Sequence, residues 1–268
     1  MVSRAPEACR EDTMSGTQHG CIVITGAGSG IGAATAAALA ESGRSILLTG
    51  RRRETLDPVC DAIGRAGGQA MACECDVSDE EAVRAAVRAG CDRFGGIAGL
   101  VNAAGVMPVA PMPEADPADW RRIMNVNVLG SLHAIAAVLP DMLERGSGHI
   151  VSIGSVAGHT LFPDATVYCA SKSALHVISE GLRAELAVRR REDGNRIRVS
   201  LIAPGAVDTA LPETIAHAPS RDATQAWYRR MEGILQPDDI AATIRWAMDA
   251  PEHVSINELT VRPTEMVR

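Results

Sequence analysis

The sequence has no basic tract beyond Arg189-Arg190-Arg191, and its formal net charge is -7. A nucleic-acid partner is therefore not expected. No apolar stretch approaches the length needed to span a bilayer, so no membrane association is expected either. The opening residues lack the apolar core of a signal peptide. They are polar and read as a disordered extension over residues 1–18, with Met14 as an alternative start. The seven cysteines are scattered, with no CxxC pair. With no signal and no disulfide framework, the expected compartment is the cytoplasm. Cys73 and Cys75 share one side of an expected strand, where they read as small buried apolar residues; no metal site is expected.

What is present is ordinary for a globular protein: 46% hydrophobic and 22% charged residues in a chain of 268. That length suits one α/β domain over residues 19–268. Short apolar runs alternate with helical patterns. Strands are expected at Cys21–Thr25, Ser45–Thr49, Gln69–Cys75, Gly99–Gly105, His149–Ile153, Ile197–Ala203 and Ile256–Val261. Helices are expected at about Ile31–Glu41, Arg53–Arg65, Pro117–Glu144, Val167–Arg190 and Pro237–Asp249, and one more capped by Ser78 in the capping box Ser78-Asp79-Glu80-Glu81. The alternation predicts a doubly wound Rossmann fold, a seven-stranded parallel sheet flanked by helices. Residues 206–235 read as an irregular, mobile lid.

The turn after the first strand holds Gly26, Gly28, Ser29, Gly30, Ile31 and Gly32. Glycines allow a sharp turn and close approach of backbone to a phosphate, and the helix that follows offers free N–H groups. No lysine follows the last glycine, which excludes a P-loop. The second strand ends in Gly50-Arg51-Arg52-Arg53, with no carboxylate to accept from a ribose 2′-hydroxyl. Guanidinium groups suit a 2′-phosphate instead, so NADP(H) is the expected cofactor. Tyrosine occurs only at positions 168 and 228. Tyr168 precedes Lys172 by one helical turn, which places both on one face. A neighbouring ammonium would lower the phenol pKa. Ser155 falls just past a strand end, where α/β sheets keep their ligand sites.

Ser155, Tyr168 and Lys172 behind this glycine turn resemble the short-chain dehydrogenase/reductase family over about residues 20–262. The resemblance implies adenine contact at Asp76 and Val77. It matches Asn102-Ala103-Ala104-Gly105 to a family segment with a second asparagine, here Ala103. It makes Asn127 a catalytic residue that would hold a proton-relaying water, and it sets Pro204, Gly205, Val207 and Thr209 beside the nicotinamide. Tyr168 and Lys172 would also touch the cofactor. Ser155 and Tyr168 would bind the substrate oxygen, with Tyr168 as proton donor and Lys172 lowering its pKa. The pocket would be lined by Val106, Met107, Ser155, His159, Phe162, Ala206 and Trp227, with Leu161 and Tyr228 nearby. The tail Ile256 to Thr264 resembles a bacterial subgroup of NADP-dependent reductases that includes clavulanic acid dehydrogenase. The resemblance implies a small-molecule carbonyl or alcohol substrate, a reductase of secondary metabolism, and a homotetramer or homodimer packed through the two long helices and the last strand. An NAD-linked alcohol dehydrogenase, a non-catalytic dinucleotide sensor and a structural scaffold stay open as alternatives.

Overall fold

The computed structural model describes residues 20–266; the expected extension over residues 1–18 lies outside them. Seven strands form one sheet in the order β3-β2-β1-β4-β5-β6-β7, every pairing parallel. They are β1 Cys21–Thr25, β2 Ser45–Gly50, β3 Ala70–Glu74, β4 Ile97–Asn102, β5 Ser147–Ile153, β6 Arg196–Pro204 and β7 Glu258–Val261. β1 is buried throughout, as a central strand covered on both faces requires. Its residues alternate between two cores. Ile22 and Ile24 join a core with α1 (Gly30–Glu41), α2 (Arg53–Arg65) and α8 (Pro237–Asp249). Cys21 and Val23 face the other core, built with α3 (Glu80–Phe94), α5 (Gly130–Arg145) and α6 (Thr166–Asp193). The strand order reverses between β1 and β4, and the crevice at that switch point, beyond the strand ends, is where such sheets bind ligands.

Several expected elements take a different form. Asp79, not Ser78, caps α3, its side chain accepting from the Ala82 amide, because Ser78 is bonded backwards to Asp76. β4 stops at Asn102, three residues early, because the Ala103 and Ala104 amides turn aside to the Thr25 hydroxyl. The long fourth helix is not uniform: α4 (Pro117–Ile123) runs into a π-helical turn at Met124–Leu129 before α5 begins. Taken whole, Pro117–Arg145 is long and apolar enough to cross a membrane by length and composition, contrary to the expectation that no stretch would be. Its apolar residues Ala134, Val138 and Met142 are fully buried in the second core, which accounts for the composition.

The segment 206–235 is not irregular. It holds a 3-10 turn at Leu211–Thr214 and a helix α7 at Ala218–Arg230. Its prolines mislead the eye, since Pro212 and Pro219 occupy first-turn positions, where the missing N–H costs nothing. Both ends are pinned together: the Asp208 amide donates to the Leu235 carbonyl at 2.8 Å and the Leu235 amide to the Ala206 carbonyl at 3.2 Å.

Candidate active site

The glycine turn is held tightly against the β4 exit. Gly26 has φ +66°, and a Cβ there would lie 2.8 Å from the Ala104 backbone. A Cβ on Gly32 would collide with the Gly26 carbonyl, and one on Gly28 with the Thr55 hydroxyl. Gly30, φ +52°, faces only Thr209, at 3.2 Å. Ser29 stands at the N-cap of α1 but makes no side-chain cap, and no acidic residue lies in that first turn. The helix thus presents Ile31 and its neighbours with N–H groups unengaged by any cap, suited to an anion. The Thr25 hydroxyl accepts from Ala103 at 3.1 Å and Ala104 at 3.2 Å, so Ala103 needs no side-chain amide to anchor this loop. Asn102 is buried, and its Oδ1 has no hydrogen-bond partner within the protein. Such an orphaned acceptor fits a ligand hydroxyl or water.

At the end of β2, a Cβ on Gly50 would meet only the Leu56 side chain. Arg53 is committed to Asp57, one turn on. Arg51 and Arg52 are exposed and, among the described residues, make no ion pair. Asp76 accepts from the Ser78 amide at 2.9 Å and its hydroxyl at 2.7 Å. Burial pushes the Asp76 carboxyl up, but these two bonds and the nearby Arg51 charge bring it net below its usual value. Val77 beside it is buried.

Ser155, Tyr168 and Lys172 meet past the end of β5. Ser155 caps a 3-10 turn, Val156–Gly158, its hydroxyl accepting from the Ala157 amide at 3.1 Å. Tyr168 and Lys172 lie in the first two turns of α6, both buried. Lys172 is the chain's only lysine. Its Nζ donates to the Ile153 carbonyl at 2.8 Å and sits 5.8 Å from the centre of the Tyr168 ring. Burial lowers the Lys172 ammonium to about 8. The Tyr168 phenol moves the opposite way from expectation: burial raises its pKa, and only a bond from Ser155 pulls it back. The Lys172 ammonium lies over the Tyr168 ring and is held by the Ile153 carbonyl.

Asn127 lies in the π turn, fully buried. Its side chain is spent on protein: Oδ1 accepts from the Val106 amide at 2.9 Å, and Nδ2 donates to the Val106 carbonyl at 3.0 Å and to Ser171 at 3.1 Å. The Ser131 hydroxyl takes its carbonyl at 2.9 Å. The side chain therefore positions the Val106 loop instead of offering itself to a water. The open side of Gly105 faces this group, with a Cβ there 3.9 Å from Lys172 Nζ.

The expected pocket residues divide. Val106 and Tyr168 share an apolar cluster, with Met107 and Phe162 packed on it, and Ala206 is buried nearby in sequence to the buried Val207. Trp227 is 42% exposed and Leu161 80%, so both point outward. Tyr228 is the aromatic residue near the centre, close enough for its charge state to raise the Tyr168 pKa. His159 is drawn away to Glu258 on β7, at 2.6 Å. The 206–235 segment is tied to the neighbouring loop: the Met107 amide donates to Thr214, and His217 reaches both Glu114 and Ser220. Pro204 ends β6, and the Gly205 amide donates to the Val261 carbonyl at 2.7 Å. A depression lined by Cys60, Arg65, Gln69 and Arg93 lies at the opposite end of the sheet and holds none of these residues.

Comparison with known proteins agrees with this geometry. Residues 20–220 match the family model described as short chain dehydrogenase. An uncharacterized oxidoreductase of Staphylococcus saprophyticus is 36% identical over 94% of this chain and 98% of its own. An alcohol dehydrogenase of the archaeon Thermococcus sibiricus, solved with 5-hydroxy-NADP, superposes with a TM-score of 0.79 at 26% identity, covering 93% of this chain and 98% of that one. The closed form of serine dehydrogenase complexed with NADP+ gives a TM-score of 0.80 at 30% identity, covering 90% and 94%.

Proposed function

The chain belongs to the short-chain dehydrogenase/reductase family, and from that premise we propose that it is an NADP(H)-dependent oxidoreductase interconverting a ketone or aldehyde with its alcohol, acting as a reductase. One observation carries this reading: half-buried Ser155 and buried Tyr168 and Lys172 converge past the end of β5, near the glycine turn. The bound nicotinamide would exchange the hydride. Tyr168, its pKa raised by burial, is fully protonated at neutral pH and equipped to donate to a developing alkoxide. Ser155, whose interaction with the phenol offsets part of the rise in its pKa, would hold the same oxygen. Lys172, with its ammonium at about 8, keeps its charge at neutral pH and would stabilise the phenolate left behind. Any relay through Asn127 would have to use its backbone carbonyl, which Ser131 engages; the side chain positions Val106.

Arg51 and Arg52, free of ion pairs, would take the 2′-phosphate, and two of the solved relatives were captured with NADP or its analogue. Gly26 to Gly32 would hold the pyrophosphate, Asp76, Val77 and Asn102 to Gly105 the adenosine side, and Gly205, Val207 and Thr209 the nicotinamide side. The cytoplasm, a biosynthetic role near the clavulanic acid dehydrogenase subgroup, and a homotetramer or homodimer complete the proposal. Exposed apolar side chains on the long helices, Leu129, Leu132, Val177 and Val188, favour self-association. The test is a panel of ketones and aldehydes followed by NADPH absorbance, with NADH in parallel. Turnover with NADPH on at least one carbonyl is expected; a preference for NADH would overturn the cofactor reading.

A further inference from the structure

We propose that His159, His176 and Glu258 form a binding site for one divalent transition-metal ion of the zinc class. The three come from separate elements: His159 from the turn after Ser155, His176 from α6, and Glu258 from the start of β7. The Glu258 carboxylate is shared. One oxygen lies 2.6 Å from His159 Nε2 and the other 3.3 Å from His176 Nδ1. The two rings meet edge to face at 5.0 Å, and all the candidate ligand atoms fall within 4.8 Å of one another. His176 Nδ1 is buried and makes no hydrogen bond, even to the carboxylate beside it. A buried ring nitrogen without a partner calls for an acceptor of its lone pair or proton.

The donor set selects the ion. Two imidazoles and one carboxylate suit zinc and its neighbours, whereas magnesium and calcium take oxygen ligands. Bonds of about 2.1 Å in a tetrahedral shell set ligands roughly 3.4 Å apart, a spacing reached here by small side-chain rotations. The side chains remain 31–37% exposed, which leaves a fourth position for water. The site ties the Ser155 turn to α6 and to the sheet's edge strand. It stands independently of the role given to Tyr168.

The test is calorimetric titration of zinc chloride into the full-length, chelator-stripped, reduced protein, repeated with magnesium chloride. One zinc per chain should bind saturably and raise Tm. Magnesium should give neither signal. His176→Gln and Glu258→Gln should each weaken zinc binding more than about 100-fold, since loss of a ligand exceeds the loss of a supporting partner. Circular dichroism of the metal-free variants checks that they fold, and a cobalt titration checks for imidazole and carboxylate, not thiolate, ligation. No saturable zinc binding, or binding unaffected in both folded variants, would overturn the proposal and leave a plain His–Glu–His ion pair.

Discussion

At the scale of single residues, charge and burial decide each role. Lys172 is the clearest instance, because a chain with 26 basic residues keeps its one lysine in the buried centre and uses arginine everywhere else. An arginine there could not lose its proton or fit as a compact point charge. The sequence made Tyr168 and Lys172 legible through their spacing, but not the direction of the phenol's pKa. That direction depends on how deeply α6 buries the ring, which spacing does not report. Arg51 is the residue to which the proposal assigns the cofactor preference. Arg51→Asp should raise the KM for NADPH about 10- to 100-fold, the loss expected for one charged hydrogen-bonded contact, and narrow its advantage over NADH. Steady-state kinetics with both cofactors checks this, and an unchanged ratio would point to Arg52 or to no phosphate contact at all.

At the scale of elements, backbone geometry at turns sets what the sequence can reveal. The glycine turn was legible because Gly26 and Gly32 allow no alternative: each Cβ would enter neighbouring backbone. Gly26→Ala, forced into left-handed φ and against Ala104, should cost about 2 kcal/mol or more. A urea melt would measure it, and a variant of wild-type stability would mean the turn can rearrange. The π turn around Asn127 was not legible, since an apolar period over Pro117 to Glu144 looks the same whether or not one extra residue is accommodated. Nor was α7, where prolines at helix starts read as breakers. The His159–His176–Glu258 cluster was missed for a related reason. Its members lie far apart in sequence and meet only because β7 completes the sheet beside α6.

At the scale of the whole molecule, a parallel sheet with two apolar faces was plain from runs such as CIVIT and SILLT. Burial throughout this sheet has an electrostatic consequence at His149 on β5. Burial, reinforced by Arg198 and Arg44, lowers its pKa to about 3, and Nε2 pairs with Ser200. A folded pKa below the unfolded value of about 6.5 gives stability that is fully present above 6.5 and lost as pH falls toward 3. His149→Gln should therefore flatten the fall of Tm between about pH 6 and 4; an unchanged slope would assign acid sensitivity to other groups. In the proposed reaction the fold brings a protonated Tyr168 to a substrate oxygen beside a dinucleotide. The most direct measurement is carbonyl turnover and NADPH binding by Tyr168→Phe, which removes one hydroxyl from a buried ring. NADPH binding close to wild type is expected, with turnover reduced by about 100-fold or more, the scale of a general acid. Turnover near the wild-type rate would contradict it.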